Sequence, residues 1–243
     1  MKKLLTLLFT FLPILLFSQV IMSWNIRDLG KSKYEKDTII PAIANVMIES
    51  KADIIAVQEV VLSSYGDSCI IQLSRILGYN YVISGRTSGD GAERYAFLYN
   101  KNIRLDTSYL ERNLSDSIGR EPFVGHFEYY CRELVIRQVH LVPPSKNPAN
   151  EVRKLYYYKD GIVCGDFNLT DLRVVFEPLL KYFKSPLLGQ GTTLKMDDSV
   201  STNSYDHFLV DDDIKVNHQY VFNYKYRWMR RNLSDHLPII IIL

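Results

Sequence analysis

The chain reads as an α/β domain whose strands deliver chemically capable side chains to a common edge, and three observations predict this. Short apolar runs recur along the chain, for example Asp53-Ile54-Ile55-Ala56-Val57 and Gly161-Ile162-Val163-Cys164, as buried strands do. Segments between them carry apolar residues at helical spacing, and alternating strands and helices form layered α/β architectures. Five of the apolar runs end on, or begin from, residues suited to metal binding or proton transfer: Asn25, Glu59, His140, Asp166 with Asn168, and Asp235 with His236. Ligand sites gather at strand ends in such folds.

The 243 residues are 47% hydrophobic and 12% aromatic, a globular composition long enough for one domain with a large core. Lys2 and Lys3 precede an apolar run from Leu4 to Phe17 that closes on Ser18, the layout of a secretory signal, so residues 1–19 are expected to be a cleaved signal peptide and 20–243 a single catalytic domain. The run is short for a membrane span, is interrupted by Pro13, and is followed by no lipid-accepting cysteine. The expected compartment is therefore secreted or periplasmic, without stable membrane association. Setting Lys2 and Lys3 aside leaves 27 basic and 27 acidic residues. No global basic field advertises a polyanion, and any grip on one must be local. The expected state is a monomer. Cys69, Cys131 and Cys164 are expected to be inert core thiols, because Cys131 and Cys164 fall at opposite ends of adjacent strands, too far apart to bridge.

Val20 to Trp24 forms the first expected strand, ending at Asn25. Apolar residues at Ile39, Ile40, Ile43, Val46 and Met47 give a helix over 36–49, with Pro41 in its first turn. The strand 53–57 ends at Gln58-Glu59, and a helix over 67–77 stops at Gly78. Tyr79–Ser84 and Tyr95–Tyr99 pair around a glycine-rich loop, and 108–119 is polar and irregular. Phe123–Phe127 and Glu133–Val139 are strands, the second ending at His140. Pro143-Pro144 breaks the chain, and Asn150–Tyr158 is a short helix before the strand that ends at Asp166. Thr170 can cap a helix to about Phe183 that Pro178 kinks or divides. Tyr205–Val210 and Leu237–Leu243 are the last strands.

Asp166 and Asn168, two apart, project to one side of an extended segment. Alone they could simply end a strand in a turn. If the five strand ends converge, they assemble carboxylates, amides and two histidines with no cysteine, a donor set that favours a hard cation, Mg²⁺, Mn²⁺ or Ca²⁺, over zinc. Histidines titrating near neutrality add acid and base. Together these are the means of hydrolysing a phosphate ester.

Trp24-Asn25, Gln58-Glu59-Val60, His140, Gly165-Asp166-Phe167-Asn168, Tyr205-Asp206 and Ser234-Asp235-His236-Leu237-Pro238 resemble, in order, the motifs of the endonuclease/exonuclease/phosphatase superfamily. Glu93-Arg94-Tyr95 and Gly119-Arg120-Glu121-Pro122-Phe123 narrow the resemblance to its deoxyribonuclease I-like branch. The resemblance implies a four-layer α/β (α+β) sandwich, two mostly antiparallel sheets packed face to face with helices outside. It implies a metal-dependent endonuclease on DNA, with a phosphatase or a phospholipid or inositol phosphodiesterase as the alternative on the same scaffold, and a non-catalytic binding module as the third.

The same resemblance assigns Asn25, Glu59 and Asp235 to the cation. It makes His140, oriented by Glu93, the general acid and His236, oriented by Asp206, the general base. Asp166 and Asn168 position water and phosphoryl oxygens, and Arg120 contacts the phosphate unless it pairs with Glu121. Asp116 and Glu121 stand where that branch binds a structural Ca²⁺. Asp211-Asp212-Asp213 reads as a solvated turn, while Lys225, Arg227, Arg230 and Arg231 either track a phosphate backbone or keep a loop soluble. Three departures stand out: Val61 and Gly91 occupy positions where that branch carries minor-groove Arg and Tyr, its cysteine pairs are missing, and the 141–160 connection is short.

Overall fold

In the computed structural model, residues 18–89, 93–129, 132–170, 173–185, 187, 189–224 and 229–243 are described. The elements in order are β1 (Val20–Leu29), α1 (Lys31–Tyr34), α2 (Ile39–Ser50), β2 (Ile54–Val61), α3 (Ser64–Leu77), β3 (Asn80–Ile83), β4 (Glu93–Tyr99), β5 (Arg104–Leu110), β6 (Phe123–Tyr129), β7 (Arg132–His140), α4 (Ala149–Val152), β8 (Ile162–Asp166), α5 (Arg173–Phe176), β9 (Phe183–Lys184), β10 (Asp206–Asp211), β11 (His218–Val221), α6 (Met229–Asn232) and β12 (Ile239–Ile242).

They build two six-stranded sheets, ordered β11-β12-β1-β2-β4-β3 and β5-β6-β7-β8-β10-β9. Only β1–β2 and β7–β8 pair in parallel among these neighbours; the rest are antiparallel. The expected sandwich of two packed sheets with outer helices is the fold observed.

Period-two alternation explains why its central strands read as unbroken apolar runs. In β1 and β2, Ile21, Ile54 and Ala56 face the second sheet, where they meet Phe127, Ile136, Ile162 and Phe208. Their neighbours Met22, Ile55 and Val57 face outward onto Ile43, Met47 and Ile70 of α2 and α3. The outer face of the second sheet (Val139, Val163, Leu209) is covered by Val152, Leu155 and Phe176 from short helical segments. Each fully buried aromatic or aliphatic side chain in these layers contributes about 1.5–3 kcal/mol.

Several boundaries differ from expectation for identifiable reasons. Ser63, whose Oγ accepts the Gly66 N–H at 3.2 Å, starts α3 earlier than the apolar pattern suggests. Residues 104–110 form an edge strand where only an irregular stretch from 108 was expected, because its exposed face is polar. The helix expected from Thr170 to Phe183 is divided: α5 is one turn, Pro178 precedes a short 3₁₀ turn at Leu179–Lys181, and Phe183–Lys184 pairs with β10. The 141–160 connection is a compact crossover, a single α-turn running into a 3₁₀ segment at Arg153–Tyr157, between the parallel strands β7 and β8. β11 and α6 carry too little periodicity to have been expected. Cys69 and Cys164 are buried free thiols, which burial pushes up to about 11 and about 12. Cys131, Gly91, Lys225 and Arg227 lie outside the described residues.

Candidate active site

A backbone distortion shared by β1 and β2 aims the first pair of polar side chains. The parallel register runs to Asn25 opposite Gln58 and resumes at Leu29 opposite Val60. Arg27, Asp28 and Glu59 absorb the mismatch at φ 45°, 51° and 61°. Each left-handed non-glycine residue costs of order 1 kcal/mol and persists where surrounding structure enforces it. Here the enforcement is visible. The Arg27 N–H donates to Asn25 Oδ1 and the Asp28 N–H to Glu59 Oε2, both at 2.9 Å. The buried Lys33 ammonium donates to the Ile26 carbonyl at 2.9 Å and to that of Arg27. Burial and the neighbouring Arg27 charge lower Lys33 to about 8.

The second sheet supplies a row of three. His140, Asp166 and Asp206 stand opposite one another on β7, β8 and β10. Gly165 makes the β7–β8 approach possible: at φ +138°, a Cβ there would sit 2.0 Å from the Val139 carbonyl oxygen. His236 comes from the connection before β12. Ser234 secures that connection, its Oγ donating to the Asn25 carbonyl at 2.6 Å and accepting the His236 N–H at 3.0 Å.

These elements converge on Asp166. Its Oδ2 accepts from Asn25 Nδ2 at 3.0 Å and lies 3.6 Å from Nε2 of both His140 and His236. Each imidazole is anchored from behind: His140 Nδ1 lies 2.9 Å from Glu93 Oε2, and His236 Nδ1 is bonded to Asp206 Oδ2 at 2.8 Å. Asp206 also accepts the Thr192 hydroxyl at 2.7 Å. Burial opposes protonation of both rings, but Glu93 and Asp166 outweigh it and raise His140. Asp206, Asp166 and Asp235 likewise bring His236 up to about 10. Burial favours a neutral Glu93, yet His140 and Arg120 hold it below the usual carboxylate range.

The donor chemistry fits a hard cation. Asn25 Nδ2 bonds both Glu59 Oε1, at 2.8 Å, and Asp166 Oδ2, so two carboxylate oxygens and an amide meet at one point. Turning the Asn25 oxygen toward that point would be repulsive without a positive ion there. Asp166, Asp206 and His236 also bring ligand atoms within 4.8 Å of one another. In that group, however, Asp206 and the His236 Nδ1 already satisfy each other, which favours a proton relay over a cation cage. Asp235, the third expected ligand, lies 3.7 and 3.5 Å from Arg27 and Arg230.

Arg120, which the resemblance assigns to the phosphate, is tied to Glu93 and to the chain around His140. Its Nε lies 2.9 Å from Glu93, and Nη1 donates to the His140 and Leu141 carbonyls at 3.0 and 3.1 Å. The guanidinium braces the chain around His140, and its carboxylate partner is Glu93, not Glu121. Glu121, fully buried, takes donors from Ser88 and Arg112, while Asp116 is exposed. An Arg112 guanidinium thus stands beside Glu121, where the resemblance implies a structural Ca²⁺. Asn168, at φ 50°, donates its N–H to Asp166 Oδ1 at 2.8 Å and its amide to the Leu141 carbonyl at 3.0 Å. Asp211 closes its expected turn by accepting the Asp213 N–H at 2.9 Å.

Beside His236 lies an open cleft of about 530 Å³ lined by Asn168, Lys195, Tyr205, Arg230 and Asp235. Arg230 sits there on α6, and Met196 stands at the edge, 88% exposed. Lys33 and Thr192 support the site but were not legible in the sequence. Neither belongs to a recognisable motif, and both act on atoms distant along the chain.

A model of the endonuclease/exonuclease/phosphatase family matches residues 22–236. Among solved structures, the chain is similar to an endonuclease/exonuclease/phosphatase family protein of Bacteroides thetaiotaomicron, with 18% identity and TM-score 0.71 over 93% of this chain and 97% of that one. It is similar to a mannosyl-6-phosphatase from the same species, with 19% identity and TM-score 0.70 over 93% and 99%. It is similar also to the human nocturnin catalytic domain, with 19% identity and TM-score 0.66 over 93% and 92%. No curated protein sequence matches. At these identities the structural likenesses show the fold alone.

Proposed function

The chain belongs to the endonuclease/exonuclease/phosphatase family, and on that premise we propose that it is an exported, divalent-cation-dependent endonuclease that hydrolyses DNA phosphodiesters. The observation that carries the reading is the convergence on Asp166 Oδ2: two imidazoles at equal 3.6 Å distances, each with its far nitrogen at a carboxylate. A phosphoryl group lying over Asp166 is flanked by proton-bearing Nε2 atoms on both sides.

The roles follow from the electrostatics. His236, held protonated at neutral pH by Asp206 and Asp166, donates to a phosphoryl oxygen. This reading gives His236 a donor's role in place of the general base that the resemblance implies, since a protonated Nε2 has no lone pair to accept a proton. Asp166 orients the attacking water and takes its proton. As the new P–O bond forms and the bond to the leaving oxygen breaks, His140, set in place by Glu93, gives its proton to that leaving oxygen. Glu59 and Asn25, with Asp166, would hold Mg²⁺ or Mn²⁺, which would supply charge neutralisation at the phosphoryl oxygens.

DNA is favoured by the two pieces that narrow the resemblance to the deoxyribonuclease I-like branch, and both are built around His140. Glu93 holds His140, the Tyr95 hydroxyl accepts the His140 N–H at 3.1 Å, and Arg120 ties Glu93 to the chain after His140. Both pieces therefore serve the acid. Two observations favour a second reading, a phosphatase acting on a small ester. Arg120 is committed to positioning, and the cleft beside His236, about 530 Å³, would accommodate a sugar phosphate. Export rests on the signal-like residues 1–17, which lie outside the described residues.

The test is a substrate panel. Mature protein is incubated with supercoiled plasmid, single-stranded DNA, a sugar phosphate, an inositol phosphate and a phospholipid, each with Mg²⁺ or with excess chelator. Metal-dependent nicking of plasmid supports the endonuclease. Intact DNA alongside release of phosphate from a small ester would replace it with the phosphatase.

A further inference from the structure

The crossover between β7 and β8 contains a buried carboxylate that the proposed chemistry does not use. Glu151, on α4, is 7% exposed. Among the described residues no lysine or arginine pairs with it. Its two oxygens are instead divided between two loops: Oε1 accepts the Gly119 N–H at 2.5 Å, and Oε2 accepts the Val142 N–H at 2.7 Å. Backbone N–H groups bonded to a carboxylate make short, strong, charge-assisted bonds. Burying a carboxylate is costly unless such partners are in place.

The two loops are the ones that hold His140. Gly119 immediately precedes Arg120, and Val142 follows His140 by two residues. Arg120 crosses from the first loop to the second, donating to the His140 and Leu141 carbonyls and pairing with Glu93. Glu93 completes the circuit at His140 Nδ1. The packing under this junction is close: a Cβ on Gly119 would lie 3.0 Å from Val142 and 3.2 Å from Glu151. The short crossover thus places one carboxylate where it fastens the Arg120 loop to the end of β7.

We propose that Glu151 is a positioning residue for the general acid, fixing the Arg120–Glu93–His140 assembly so that His140 Nε2 meets the leaving oxygen. The proposal rests on the reading of His140 as the acid. Glu151→Gln keeps one acceptor oxygen and turns a donor toward the other N–H, so one bond is lost and the loops separate. Misplacement of a reacting group by about 1 Å can cost about a hundredfold in rate.

The test compares plasmid DNA, whose alkoxide leaving group needs a proton, with bis(p-nitrophenyl) phosphate, whose nitrophenolate leaves without one. On plasmid, kcat of Glu151→Gln should fall about ten- to a hundredfold with KM little changed. On the nitrophenyl ester the loss should be much smaller, as it should be for His140→Ala. Glu151→Asp, which keeps the charge but withdraws it by one methylene, should show a milder loss with the same dependence on leaving group, and it serves if the glutamine variant does not fold. An equal loss on both substrates for both Glu151 variants, with the leaving-group dependence intact in His140→Ala, would overturn the positioning role. Absence of that dependence in His140→Ala itself would overturn the acid reading, and the proposal with it.

Discussion

Replacing Asp206 with asparagine removes the nearest of the carboxylates that keep His236 charged. The His236 Nδ1–Asp206 Oδ2 bond is 2.8 Å and the Asp166 carboxylate lies 3.6 Å from Nε2. Burial pulls toward the neutral ring, yet these carboxylates with Asp235 bring it from 6.5 to about 10. At about 1.4 kcal/mol per pH unit, that rise is a native-state preference for the imidazolium of roughly 5 kcal/mol, and Asp206 is the foremost of the carboxylates behind it. The sign is fixed by linkage. A histidine raised in the folded state adds stability that is fully present below its unfolded value of 6.5 and is lost as pH rises through about 10. Asparagine keeps an acceptor for the Thr192 hydroxyl, so the change falls mainly on the ring. Urea unfolding with excess chelator, from pH ~6 to ~10, should show the wild type more stable than Asp206→Asn by about 1.5–3 kcal/mol at the acid end, the range for a hydrogen bond to a charged group, the gap closing toward the alkaline end. Imidazole NMR should show His236 of the wild type titrating far above its ordinary value and that of the variant lower. A pH-independent gap, or a wild-type His236 titrating near 6.5, would refute the reasoning.

Three further outcomes follow from the geometry. Gly165→Ala places a Cβ 2.0 Å from the Val139 carbonyl oxygen at φ +138°, so chemical denaturation should show a loss of about 3 kcal/mol or more, larger than for a typical surface glycine. Glu59→Gln removes a carboxylate from the point where Asn25 Nδ2 also meets Asp166, and calorimetric titration with Mg²⁺ should show affinity at least about tenfold weaker, with the fold retained by circular dichroism. Cys69 and Cys164 are buried thiols with raised pKa, so peptide mapping after iodoacetamide at mildly alkaline pH should find both unmodified in native protein and both labelled in urea.

The sequence exposes those parts of the molecule that work by side-chain type at strand ends. β1, β2, β8, β10 and β12 are buried on both faces, and such strands leave continuous apolar runs. The motif residues His140, Asp166, Asp206 and His236 do meet, with Glu93 behind His140 as expected. What stays hidden is backbone shape and long-range support. No glycine marks the bulge at Arg27, Asp28 and Glu59, so its left-handed residues cannot be read from composition. Lys33 acts on a carbonyl seven residues away, Thr192 on a carboxylate 14 away, and Glu151 on an N–H 32 away. None of these separations has a periodic signature. Arg120 shows the same limit from the other side. Its type suits a phosphate, but only the packing reveals that Glu93 and two carbonyls already claim its donors. Polar edge strands such as β5 and β11 lack the alternation that would announce them.

In the proposed mechanism Asp166, between two carboxylate-anchored histidines, activates water against a DNA phosphodiester. The most direct measurement is the single-turnover rate of plasmid nicking, at Mg²⁺ concentrations saturating for each protein, for wild type and for Asp166→Asn, which preserves shape and removes the base. The account predicts metal-dependent nicking by the wild type and a loss of at least about 10²–10⁴-fold in the variant, the span expected when a general base is removed. Nicking by folded Asp166→Asn at the wild-type rate would contradict it.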